Sequence, residues 1–468
     1  MLFNPNTLIK KEGAFLLPTD AIATAHSSMN KDIVKEFWFN FSLQTSKLSV
    51  AESDALTFCI GEVSAPSLNG NAYGVRVTES GVCVCAENEQ SLMQGFMALL
   101  DRFCAVEIDG ETRIELECCE LWDRSLIANR MVHFCIFPET ELWELQRFIR
   151  FCGALRYTHI VLEFWGMLKY DCMKELSWSN GFTKEQILPL VREAKDLGLE
   201  VIPMFNHWGH ASSGRVGHGK HVVLDQNPAL QTYFSEDGWC WDIGKAKVRE
   251  LLSHIRAELI ELCGEGKYFH IGCDEAYNFE LTDENINILC SFINGVSDEM
   301  KSQGRRVIMW GDMILYHHQQ YNPKNRYTCN APSPEVEKSF LERLSKDVVI
   351  ADWQYHVTEA PVETVSVFKN AGFDCLLCPW DDGAPAADAT IATLQGSGLM
   401  GFMHTTWHTL SAGMPFVTFM ALGGFEAEIK CNKTKLRTYT AALMRKVMPA
   451  CGDYSRAGWS KRQVSFRW

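Results

Sequence analysis

The chain has no excess of basic charge. Its 468 residues carry 44 Lys and Arg against 58 Asp and Glu, a formal net charge of −14. This excludes the basic face of a nucleic-acid binder and leaves no polybasic patch for a membrane surface. No run approaches the ~18 apolar residues of a membrane helix. The first residues lack a basic segment followed by an apolar one, so no signal peptide is expected. No HExxH zinc helix occurs, and no glycine-rich nucleotide loop follows the first strand-like run after residue 125. Cys375 and Cys378 have the spacing of a redox or metal half-site, but no second such pair follows, and they read as core thiols. The 18 cysteines are scattered, and many lie in apolar runs (Cys59, Cys83, Cys85, Cys135, Cys152, Cys263, Cys290). There a thiol acts as a small buried hydrophobe, which suits a reducing compartment and a cytoplasmic protein.

What is present is ordinary globular material, 47% hydrophobic and 22% charged, long enough to bury a large core without staples. Residues 1–120 read as a small α/β domain. Within it Glu36–Ser42 and Leu56–Ile60 look like strands, Tyr73–Thr78 and Gly81–Ala86 form a hairpin, and residues 88–103 have helical spacing. Residues 121–468 read as a (β/α)8 TIM barrel followed by C-terminal helices. Eight apolar runs are its strands: Asn129–Cys135, His159–Phe164, Glu200–Phe205, Tyr268–Cys273, Arg306–Trp310, Val348–Trp353, Phe373–Cys378 and Met400–Thr406. Helical patterns separate them. A doubly wound open sheet is the alternative.

In a barrel, chemistry sits where strands end, and these ends are rich in functional residues. Strand 1 carries Arg130 and His133, strand 2 ends at Glu163 and Trp165, and strand 3 runs into Asn206, His207 and His210. Strand 5 ends at Trp310 and Asp312, strand 6 at Trp353 and Tyr355, strand 7 at Trp380, Asp381 and Asp382, and strand 8 at Trp407. Five of the chain's 14 tryptophans thus stand at equivalent positions, as in an aromatic wall against which sugar rings pack their C–H faces. Strand 4 ends in Asp274 and Glu275. Two carboxylates held close cannot both ionise freely, so one is available as an acid. The plainer reading is an acidic pair opening the next helix. Neighbours on a strand point to opposite faces. Both can therefore meet one substrate only if the backbone leaves regular β geometry there.

The run His270-Ile-Gly272-Cys-Asp274-Glu275 resembles the His-x-Gly-x-Asp-Glu motif of family 20 glycoside hydrolases, the β-N-acetylhexosaminidases. Ile202–Ala211, ending in Gly209-His210, resembles the family's strand-3 segment, and Asn129–His133 its strand-1 arginine segment. The resemblance implies a retaining, exo-acting enzyme that uses the substrate's own acetamido group as nucleophile. Glu275 would be the general acid/base, and Asp274 would orient the acetamido group. Arg130 would bind sugar hydroxyls and His210 would support the carboxylates. Trp353, Trp380 and Trp407 would form the walls, with Tyr355 as the tyrosine on the acetamido oxygen. The implied partner is a small glycan or glycoconjugate with a terminal N-acetylhexosamine, and no metal or cofactor is implied. The sequence departs from the family pattern at three places. Asn206 stands where the family has an acidic residue. No glutamate follows Trp407, which leaves Asp381 or Asp382 to replace it. Strand 7 offers Trp380-Asp381 where the family has its tyrosine, which leaves Tyr355 as the substitute. Two other readings remain. One is an amino-sugar-binding protein that has lost turnover. The other is a metal-dependent barrel hydrolase using His207, His210 and Asp274.

Overall fold

A computed structural model describes residues 3–61, 63, 72–212, 223–277, 279–380, 384–407, 414–426, 429 and 432–453. The first eight strands are β1 (Thr7–Leu16), β2 (Asp20–Ala25), β3 (Lys47–Val50), β4 (Leu56–Ile60), β5 (Ala72–Thr78), β6 (Gly81–Ala86), β7 (Cys104–Ile108) and β8 (Glu111–Arg124). They form one mixed sheet in the order β1-β8-β5-β6-β4-β2-β3, with β7 paired to β8. The hairpin is β5 and β6, with Thr78 opposite Gly81. The helix Glu89–Leu100 packs on this sheet, and nearly all of its residues are buried.

The expected strand at Glu36–Ser42 is instead part of a helix, Lys31–Phe41. The aromatic run misleads because it looks β-like locally. Ile33, Val34, Phe37, Trp38 and Phe41 are the buried residues, and their spacing follows one helical face. The Asn30 side chain accepts the N–H groups of Asp32 and Ile33 and so caps the first turn.

The eight expected barrel strands all form. They are β9 (Asn129–Cys135), β10 (His159–Glu163), β11 (Glu200–Met204), β12 (Tyr268–His270), β13 (Arg306–Trp310), β14 (Val349–Trp353), β15 (Cys375–Cys378) and β16 (Gly401–Thr406). All pair in parallel, and β16 returns to β9 to close the barrel. Inward side chains make a separate inner core of Met131, Val161, Ile202, Met204, Ile308, Val349, Ala351, Leu376 and Met403. Outward side chains pack under the helices in the main core. Both faces of the strands are therefore covered, which is why the strands are apolar without alternation. Among the described residues, no helix is long and apolar enough to cross a membrane.

The fourth strand is the short one, with three residues. Beyond it Gly272, Cys273 and Glu275 have φ of 67°, 74° and 47°. The chain thus leaves β geometry at the acidic pair, as a shared target for the two carboxylates demands.

Candidate active site

The site is built at the C-terminal end of the barrel, around the turn after β12. A Cβ on Gly272 would meet the Asn206 amide at 2.5 Å, and one on Gly209 would meet the Asp274 carbonyl at 2.1 Å. The loops after β11 and β12 therefore run against each other, and this close approach brings His210 to the acidic pair. His210 Nε2 lies 3.3 Å from Asp274 Oδ2 and 3.3 Å from Glu275 Oε2. The Asp274 side chain is 8% exposed, while that of Glu275 is 31% exposed. Asn206 donates to Asp274 Oδ1 at 2.8 Å, so both Asp274 oxygens are held. Tyr277 donates its hydroxyl to Glu275 Oε1 at 2.8 Å.

The tryptophans of the segment after β11 brace this turn. Trp239 donates to the Glu275 carbonyl at 2.7 Å and lies 4.3 Å from the His210 ring. Trp241 donates to the Asn206 carbonyl at 3.0 Å.

The aromatic wall stands on the far strands. Tyr355 lies 4.8 Å from the ring of Trp353 and 5.4 Å from that of Trp380. Its hydroxyl accepts from Trp407 Nε1 at 2.7 Å and from Thr405 Oγ1 at 3.2 Å. Burial pushes the Tyr355 phenol well above its usual value, so it stays protonated and can donate. Trp310 is fully buried beneath, with its ring 4.5 Å from His270 and 6.0 Å from Trp407. Trp165 does not join this group and packs on Phe137 at 5.2 Å.

Wall and acid are joined by Asp312. Its carboxylate accepts the Glu275 backbone N–H at 3.0 Å, Trp353 Nε1 at 3.0 Å and Asn330 Nδ2 at 2.8 Å. Burial, and next the charge of Asp274, push the Asp312 carboxyl up to about 7.

The structure thus brings together Glu275, Asp274, His210, Trp353, Tyr355, Trp380 and Trp407. Asp381 lies outside the described residues, as do Asp382 and His408. Arg130 is a correction. It is the second residue of β9 and sits at the N-terminal end of the barrel, away from the acids. Its guanidinium donates to the carbonyls of Arg156, Ile127 and Ala128 and lies 4.8 Å over the Phe425 ring. At 2% exposure it ties the bottom of the barrel together.

The metal reading on His207, His210 and Asp274 also fails on geometry. His207 is buried with its Nδ1 on the Phe205 carbonyl at 2.6 Å and its Nε2 facing Arg256 Nη1 at 3.0 Å. Burial and the Arg256 charge hold it well below its usual value, and both of its nitrogens are engaged away from Asp274. A different set, His133, Cys135 and Glu163, gathers donor atoms within 4.8 Å. Glu163 Oε2 accepts from Cys135 Sγ at 3.0 Å and pairs with His133 Nε2 at 3.0 Å, and these contacts account for the cluster without an ion. The His133 ring lies 4.6 Å from that of Trp407, so this group forms part of the floor beneath the wall.

Asn206 and Asp312 stood among the strand-end residues of the sequence without an assigned role, while Tyr277 and Trp239 were not assigned to the site at all. Asp312 had a signal, since it follows a strand-end tryptophan as Asp381 does. Tyr277 had none, because it reaches Glu275 only through the left-handed backbone at that residue.

Comparison with known proteins agrees with this geometry. Residues 161–381 match the family model described as glycosyl hydrolase family 20, catalytic domain. A lacto-N-biosidase of Bifidobacterium bifidum is 24% identical over 243 residues, spanning 47% of this chain and 19% of that protein. The chain therefore covers only about a fifth of that relative's length. Among solved structures, the exo β-N-acetylglucosaminidase of Vibrio harveyi superposes with a TM-score of 0.71 at 15% identity, over 96% of this chain and 77% of that one. The β-N-acetylhexosaminidase of Streptomyces coelicolor A3(2) does so with 0.69 at 14% identity, over 95% of each. At such identities the structural likeness speaks for the fold.

Proposed function

We propose that this chain, whose residues 161–381 match the family 20 glycosyl hydrolase catalytic-domain model, is an exo-acting, retaining β-N-acetylhexosaminidase. It releases terminal β-linked N-acetylglucosamine or N-acetylgalactosamine from small glycans or glycoconjugates. The observation that carries this reading is the broken strand end, which lets Asp274 and Glu275 share His210 from one side.

Glu275, partly exposed, protonates the glycosidic oxygen as the C1–O bond breaks. The substrate's acetamido carbonyl oxygen attacks C1 from the opposite face and forms an oxazolinium. Asp274, fixed by Asn206 and His210, accepts the acetamido N–H and balances the developing positive charge. Tyr355 donates to the acetamido oxygen from the wall formed by Trp353, Trp380 and Trp407. Water then attacks C1 and gives its proton to the Glu275 carboxylate, and the product keeps the β configuration. Asp381 remains the candidate for the sugar hydroxyls, now without Arg130. The buried cysteines support a cytoplasmic setting.

The test is cleavage of chromogenic β-N-acetylglucosaminide, β-N-acetylgalactosaminide and plain glucoside. Wild type should cleave the first two, and Glu275→Gln should lose most activity on poor leaving groups. Asp274→Asn should be slow even with activated ones. Tight binding of a thiazoline mimic without any turnover would replace this reading with that of an amino-sugar-binding protein.

A further inference from the structure

Asp312 takes no part in the chemistry above, yet its three hydrogen bonds are all to parts of the machinery or its support. Oδ2 accepts from the backbone of Glu275 and from Asn330, and Oδ1 from the indole of Trp353. Glu275 has φ of 47°, a left-handed conformation that is strained for a non-glycine residue and persists only when its surroundings hold it. The Asp312 bond to its N–H is one such restraint. The same carboxylate fixes the angle of Trp353 within the wall. An ionised carboxylate can accept on both oxygens. A protonated one carries a hydrogen on one oxygen, which becomes a donor there and a weaker acceptor for the N–H groups on that side.

We propose that Asp312 is a positioning residue whose ionised state holds the Glu275 backbone and the Trp353 indole in the reactive arrangement, so that protonating Asp312 switches the site off. This rests on the hexosaminidase reading for the roles of Glu275 and Trp353. The group is 1% exposed. The titratable groups facing it are Asp274 and Glu275 with Cys273 from the turn after β12, and Cys329 beside Asn330. Burial and the Asp274 charge raise its carboxyl, while the hydrogen bonds from Glu275, Trp353 and Asn330 pull it back, and the balance falls at about 7. A switch would therefore lie in the physiological range. Removing a donor raises the midpoint, and removing the carboxylate abolishes the switch.

The experiment combines a protein signal with a rate. The indole N–H resonance of Trp353 is followed by NMR in ligand-free, 15N-tryptophan-labelled protein and assigned with Trp353→Phe. It should titrate with a midpoint near 7. Asn330→Leu should move that midpoint up by about one pH unit, and Asp312→Asn should remove the titration. The kcat/KM for an aryl N-acetylglucosaminide should fall about tenfold per pH unit below the same midpoint. That limb should shift up with Asn330→Leu and vanish with Asp312→Asn. A Trp353 resonance that does not change between pH 5 and 9 overturns the proposal, as does a rate limb that stays in place in Asn330→Leu. If Asp312→Asn does not fold, the Asn330→Leu shift decides alone. A titrating resonance in a protein that cleaves no N-acetylhexosaminide supports the Asp312 contact and overturns the hexosaminidase reading instead.

Discussion

The indole N–H of Trp407 donates to the phenolic oxygen of Tyr355 across 2.7 Å, tying the end of β16 to the loop after β14. With that oxygen accepting from Trp407, the phenolic proton is left to donate. Replacing Tyr355 by Phe should keep the ring in the wall and remove the donor. The expected result is a fall in kcat/KM of about 30-fold on N-acetylhexosaminides, the size of one hydrogen bond to developing charge. Steady-state kinetics with an aryl substrate would check it, and an unchanged rate would remove Tyr355 from the site.

His210 offers a test that separates geometry from chemistry. Its φ of 58° is one that Asn tolerates better than most residues, so His210→Asn should fold normally. The variant loses the imidazole that stands 3.3 Å from each carboxylate. We expect kcat to drop about 10- to 100-fold while the thermal midpoint shifts by no more than about 2 °C. A large loss of stability with normal kcat in the surviving protein would make His210 structural.

Asp352 bears on stability rather than catalysis. It is fully buried in β14, facing away from the inner core, with Gln354 and Thr364 donating to it. Burial raises its carboxyl from 3.8 to about 6. A carboxyl raised on folding favours the folded state when protonated. Its contribution is full below 3.8 and is lost as pH rises through about 6. Wild type should therefore lose up to about 3 kcal/mol between pH 4 and pH 7 from this group. Asp352→Asn should flatten that dependence. Denaturant melts at pH 5 and pH 8 would show it, and a slope equal to that of wild type would contradict it.

Arg130 tests the placement of the sugar pocket. Arg130→Met removes the donors to the carbonyls of Ile127, Ala128 and Arg156. It should destabilise the fold by about 2–4 kcal/mol and leave KM within about twofold in protein that remains folded. A rise in KM at unchanged stability would return Arg130 to substrate binding.

The barrel was legible because its strands are buried on both sides and its helices on one, so periodicity alone separates them. All eight strands fall where the apolar runs predicted, and the shortfall at β12 comes from Gly272 and Cys273. The motif around Asp274 and Glu275 was legible for the same local reason, since a glycine before two acids marks a strand that stops. Arg130 shows the limit of reading motifs alone. Its position near the start of Asn129–Cys135 already set it at the non-catalytic end of the barrel, but the resemblance of the segment outweighed that geometry.

The order of strands, the two faces of each, and the residues at their C-terminal ends follow from the sequence by itself, because burial and alternation are local patterns. Which of those ends meet was decided only by the tertiary structure. The near-contact of Gly209 with the Asp274 backbone brings His210 to both acids, and the closure of β16 on β9 sets Trp407 over His133. The reach of Asp312 to Glu275, Asn330 and Trp353 joins the loops after β12 and β13 to the end of β14 through one carboxylate. Such contacts depend on barrel register and left-handed backbone turns, which lie between residues far apart in sequence and leave no periodic trace in it.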